Sequence, residues 1–181
     1  MPNYTRIRHP GATVFFTVNA YRRRPIFLNP DFRIALREGI QQTRKDKPFK
    51  ILAWVLLHDH LHCIWQLPEN DQDISKRWSQ IKRLVSQKIS CRYKTLPNTS
   101  RSKRNESSIW QRRFWEHHIF SEDDYITHLN YCYMNPVKHG LVTHVKDWEF
   151  STFHRDVNRG LFPKDWFSQQ DLDGQFESTV E

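Results

Sequence analysis

At 181 residues and 22.0 kDa the chain suits one domain. Its longest apolar run, Ile51 to Leu57, is far short of the ~20 residues of a membrane span. The formal charge is +8, but the stretch 169–181 holds four acids and no base, so residues 1–168 carry +12, which suits either a polyanion partner such as nucleic acid or an ordinary basic surface of solvated charge. Hydrophobic residues make up only 38% and aromatic ones 14%, so the core must rest on large rings. Cys63, Cys91 and Cys132 show no zinc or disulfide spacing. With no signal-peptide pattern at the start, they read as reduced thiols of a cytoplasmic protein.

The first strand is expected over Ala12 to Asn19, followed by a basic turn at Tyr21 to Arg24. Asn29, Pro30 and Asp31 open a helix that runs to about Lys45 on a stripe of Phe32, Ala35, Leu36 and Ile40. Lys50 to Leu57 and His60 to Leu67 read as a hairpin joined by a turn at His58-Asp59. A second helix is expected over Lys76 to Tyr93, burying Trp78, Ile81, Leu84, Val85 and Ile89. Its other face carries Lys76, Arg77, Lys82, Arg83 and Lys88. Residues 95–108 read as a flexible basic loop. Trp115 to Phe120 is the fourth strand, and Glu122, Asp123 and Asp124 start a helix closed by Asn135-Pro136. The remainder to about Trp166 is expected to pack over the body, and 169–181 to be an acidic, disordered tail. The order strand-helix-strand-strand-helix-strand predicts an α+β fold: a ferredoxin-like antiparallel sheet with helices on one face, plus a C-terminal extension on the body.

Two patterns carry chemistry. In His60-Leu61-His62 both imidazoles leave one strand face, since residues two apart point the same way. They can chelate a divalent metal if a third group converges. Tyr131 and Asn135, four apart, share a helix face with His128 one turn earlier. A tyrosine beside a metal-bound phosphate is a competent nucleophile, and an asparagine oxygen can be a third ligand. Each pattern also fits an ordinary structural role, and spacing does not decide whether the two faces meet.

The stretches LLHDHLHCIWQLPE, RRFWEHHIF, YCYMNPVKHGLV and DWEFSTFHRDVNRGLFPKDW resemble the REP-associated tyrosine transposases, single-tyrosine members of the HUH single-strand DNA transposases. The resemblance covers about Tyr4 to Trp166, and it treats residues 1–168 as one transposase/nuclease domain. It implies that His60, His62 and Asn135 hold a divalent metal, Mg²⁺ or Mn²⁺. Tyr131 rather than Tyr133 would then attack DNA to form a 5′-phosphotyrosine. The implied partner is single-stranded DNA folded as a palindromic-repeat hairpin, and the implied state is a monomer. Arg22, Arg23, Arg24, Lys82, Arg83, Lys88, Arg112 and Arg113 are the candidate phosphate contacts. This chain departs from the family at His58, where proline is usual. A strand extended back to 58 would align three histidines, as in a histidine-triad nucleotide hydrolase. A non-catalytic module that binds DNA hairpins is the other alternative.

Overall fold

In-out alternation along the strands divides the molecule into two cores. The structure, a computed structural model, describes residues 9–89, 93 and 108–177; the 95–107 stretch and Cys91 lie outside the described residues. Strands β1 (Thr13–Asn19), β2 (Lys50–Leu56), β3 (His60–Gln66) and β4 (Trp115–Ile119) form one antiparallel sheet in the order β2-β3-β1-β4. Helices α1 (Pro30–Asp46) and α2 (Ile74–Lys88) complete the expected ferredoxin-like unit.

Phe16, Val18, Leu61, Cys63 and Trp65 point to one face and join Phe32, Leu36, Trp78, Ile81 and Val85 of α1 and α2. Rings dominate here: Trp65 stacks on Trp78 at 4.4 Å, and Phe16 lies 4.9 Å from Trp65. The two helices approach closely at Gly39, where an added Cβ would touch Val85 at 3.4 Å. Phe15 and Ile64 point to the opposite face, against Leu129, Cys132, Tyr133 and Val137 of helix α3 (Glu122–Lys138). The helices of the split unit thus take one face, and α3 with the C-terminal extension takes the other.

The extension runs along the free side of β2. Phe150 and Thr152 bond to Leu56 and Trp54, and the Trp148 indole donates to the Leu56 carbonyl at 3.0 Å. Helix α4 (Phe153–Asn158) follows.

Four expectations shift. Helix α2 begins at Ile74 rather than Lys76, because the Asp73 carboxylate caps the Lys76 amide at 2.9 Å, and it ends at Lys88. Arg77 is fully buried rather than part of a basic surface, held by Asp71 at 2.7 and 3.0 Å and by two carbonyls. Helix α3 runs through Asn135-Pro136 to Lys138. Pro136 removes one amide donor, but the stop comes at Gly140, whose φ of +64° closes the C-terminal bonds. Of the expected disordered tail, Gln169–Glu177 forms helix α5, with Ser168 bonded to Asp171 at its start and Leu172 packed against the second core, while 178–181 lie outside the described residues. No described helix is long and apolar enough to cross a membrane.

Candidate active site

The β1–β3 register places Thr17 opposite His62 and Asn19 opposite His60. Both histidines emerge on the α3 side, 4% and 3% exposed, with ring centroids 4.9 Å apart and planes nearly perpendicular. Each ring is oriented through Nδ1. His60 Nδ1 meets Asp59 at 2.6 Å, and His62 Nδ1 meets the Thr17 hydroxyl at 2.9 Å. Asp59 also accepts from Arg23 at 2.8 Å. His62 Nε2 is buried without a hydrogen-bond partner.

Burial sets the charge state. Desolvation lowers the His62 pKa to about 3, helped by neighbouring His60, and desolvation lowers His60 despite the Asp59 contact. Both imidazoles are therefore neutral at physiological pH, with a lone pair to offer.

Helix α3 crosses this face. The Cys132 thiol lies 3.7 Å from the His62 carbonyl, and the Tyr131 ring stands edge-on to the His62 ring at 5.2 Å. Tyr131 is 38% exposed. The Lys138 ammonium sits 4.9 Å from the centre of its ring. Asn135 is 2% exposed, and its amide nitrogen donates to the Tyr131 carbonyl at 2.6 Å. Its side chain approaches His62 without a well-formed bond to Nε2. The four residues singled out by spacing are thus brought together. Tyr133 is not with them: it is fully buried, its hydroxyl donates to Asp156, and burial raises its pKa.

His58 lies in the turn, not on β3, and its ring faces Trp148 at 5.9 Å. Three histidines on one strand face do not occur. His139, which caps α3, instead brings its ring to 5.1 Å from His60. Thr17 and His139 had no sequence signal, because only the β1–β3 register and the α3 terminus bring them here; Asp59 is the chain neighbour of His60, and its role appears only in its contact with Nδ1.

The basic candidates separate. Arg22 and Arg23 form a tight turn with positive φ (55° and 54°) at the end of β1, the same end of the sheet as His60. Arg24 reaches the Tyr93 carbonyl at 2.7 Å. Arg112 and Arg113 are exposed just before β4, and Lys82 bonds to the Gln111 carbonyl at 2.9 Å beside them. Arg83 is exposed on α2, and Lys88 pairs with Glu38 of α1, in the layer opposite α3.

A family model described as Transposase IS200 like matches residues 13–131. A REP-associated tyrosine transposase of Escherichia coli is 48% identical over 166 residues, covering 92% of this chain and 91% of that protein. A Haemophilus influenzae protein described as a putative REP-associated tyrosine transposase is 41% identical over 172 residues, 95% and 97% of the two chains. A solved structure of a REP-associated tyrosine transposase bound to a REP hairpin superposes with a TM-score of 0.77 at 46% identity, covering 93% and 92%. With tyrosine, histidines and amide on one face of an IS200-like fold, this chain belongs to the REP-associated tyrosine transposases.

Proposed function

We propose that this transposase cuts and rejoins single-stranded DNA next to a hairpin formed by a palindromic repeat, with Tyr131 as nucleophile. The relative whose structure holds a REP hairpin supports the substrate class. The observation that carries the chemistry is the half-exposed Tyr131 ring 5.2 Å from a neutral, buried His62 whose Nε2 lacks a partner.

Attack of the Tyr131 oxygen on the phosphorus forms a P–O(Tyr) bond and breaks the P–O3′ bond. The phenolic proton leaves to solvent and the departing 3′ oxygen is protonated. The downstream strand stays joined to the protein through its 5′ phosphate. Attack by another 3′-OH reverses the step and transfers the strand.

His60, His62 and the Asn135 oxygen fit a divalent cation, since two uncharged imidazoles and an amide oxygen are ligands such ions accept. The orphaned His62 Nε2 is the strongest sign of fit. Mg²⁺ or Mn²⁺ held there would polarise the scissile phosphate and neutralise charge in the transition state. Asp59 and Thr17 orient the two imidazoles, and Lys138 places a positive charge beside the phenol. Arg22, Arg23, Arg112 and Arg113 line the sheet end nearest His60 and suit phosphate contacts. The protein acts as a monomer, with its own α3 supplying Tyr131.

The test is incubation with a single-stranded repeat hairpin carrying flanking unpaired DNA, with Mg²⁺ or Mn²⁺. Cleavage is expected in the wild type, with loss on chelation. Tyr131→Phe should lower the rate by at least about 10³-fold at unchanged hairpin affinity. A Tyr131→Phe protein that still cuts would overturn the nucleophile. A wild type that binds but never cuts would make the protein a hairpin-binding module.

A further inference from the structure

Helix α3 carries a second set of donors that the reaction does not use. Asp124 and His128 sit one turn apart near its start and face His117 of β4. In the sheet, His117 lies opposite Phe15 on β1, and Phe15 in turn lies opposite Ile64 on β3. His117 therefore shares a sheet face with His62, two strands away. At ~4.8 Å per strand that is roughly 10 Å, too far for the two ions of a shared phosphate clamp.

His117 Nε2 is 3.0 Å from both Asp124 oxygens, and His128 Nδ1 is 2.9 Å from one of them. Among the described residues these three form a cluster with one ligand atom each, all within 4.8 Å of one another. Ligands of a tetrahedral ion with bonds of about 2.0–2.1 Å lie roughly 3.3 Å apart, so the atoms are close to that spacing. The residues are partly exposed (37%, 24% and 18% for the His117, Asp124 and His128 side chains), which leaves room for a further ligand from solvent.

We propose that His117, Asp124 and His128 form a second divalent metal site, distinct from the His60–His62 set, that takes a zinc-class transition ion. Two imidazoles and one carboxylate are a donor set that zinc accepts, with a fourth position open. The imidazole planes lie 12° from parallel, with centroids 4.3 Å apart. A metal must lie in the plane of each ring it binds, so one ring turns on binding; His117, the more exposed, has the space. His128 Nδ1 also contacts the Asp124 carbonyl at 2.9 Å, so its proton moves to Nε2 when the metal enters.

The site has two consequences. It ties the first turns of α3 to β4. It also places positive charge beside a cavity of about 390 Å³ lined by Phe15, Thr17, Trp115, Thr127, His128 and Tyr131. Trp115, 54% exposed, lies near-parallel to His117 in this wall. A phosphate or base of the strand next to Tyr131 would meet that charge.

The experiment is metal titration of the full chain by calorimetry with Zn²⁺, and by visible absorption with Co²⁺, which reports a tetrahedral nitrogen-oxygen site. In a His60→Ala/His62→Ala protein one equivalent of Zn²⁺ should still bind. His117→Gln in that background should weaken it by more than about tenfold. Asp124→Asn should do the same, though Asp124 also accepts from the Phe120 amide at 3.2 Å, so circular dichroism must show the helix intact. In the wild type, His117→Gln should lower the number of tight equivalents by one. If the His60–His62 set holds no metal, the wild type binds one equivalent and His117→Gln removes it, so the two assignments fail separately. No Zn²⁺ or Co²⁺ bound by the double variant, or binding indifferent to His117→Gln, would reduce the cluster to hydrogen bonds alone and overturn the proposal.

Discussion

The two faces of one sheet share strands but not chemistry. The α1–α2 face is mainly aromatic across β1 and β3, with Phe16, Leu61, Cys63, Trp65 and Trp78 interlocked and buried Glu116 and His118 only at its β4 edge. The α3 face alternates apolar and polar groups from those same strands: Phe15 and Ile64 beside Thr17, His60 and His62. The difference is a one-residue offset, since every second residue of β1 and β3 changes sides. Both sides bury apolar groups, but only the α3 side also gathers His60 and His62 beside Tyr131, where burial keeps the two imidazoles uncharged.

Removing an aromatic ring from the α1–α2 side should have the greatest effect on stability. Trp78→Ala should cost about 3–5 kcal/mol of unfolding free energy, read by chemical denaturation. What remains folded should keep the cleavage rate per molecule, because Trp78 touches nothing on the α3 face. A rate loss exceeding the unfolded fraction would show that the faces are coupled.

On the α3 face, Asp59→Asn should act on the site and leave stability almost untouched. Asp59 holds His60 at Nδ1 and ties it to Arg23. The expected result is a 10–100-fold loss of metal affinity or activity with Tm nearly unchanged, as for ligand-orienting residues generally. A large Tm drop with normal affinity would recast Asp59 as structural.

The smallest effect concerns acid. The hydrogen bonds from buried Arg77 hold the Asp71 pKa down to about 2. Its folded pKa lies below the usual carboxylate value, so its contribution is full above about pH 4 and is lost as pH falls through 2. Asp71 is 35% exposed at its side chain, so solvent screening makes the contribution modest. Thermal melts between pH 5 and pH 2 should show Asp71→Asn less stable than wild type at pH 5, with the gap narrowing towards pH 2. A constant gap would mean that the pair does not titrate as described.

Much of this was legible from residue spacing. β-rich and apolar runs bounded by turn residues mark all four strands, and the HxH and Tyr131–Asn135 spacings mark residues that the structure brings together. Helix ends were less legible: Pro136 reads as a stop, yet one missing amide is tolerated inside a last turn that Gly140 closes. Arg77 reads as a surface base because helical spacing does not reveal Asp71 folding over it from the preceding loop. The meeting of α3 with the histidine face depends on chain topology, which spacing does not encode; family resemblance carried that step. The His139–His60 and His117–Asp124 contacts join separate elements and had no local pattern to mark them.

In the proposed reaction Tyr131 becomes joined to DNA. A single-stranded hairpin oligonucleotide labelled at its 3′ end should, after reaction and denaturation, leave its label on the protein. Peptide mass mapping should place the 5′-phosphate adduct on Tyr131, with a free 3′-OH on the released strand. An adduct on Tyr133, or labelled DNA released with a free 5′ phosphate and no protein attached at any time, would contradict it.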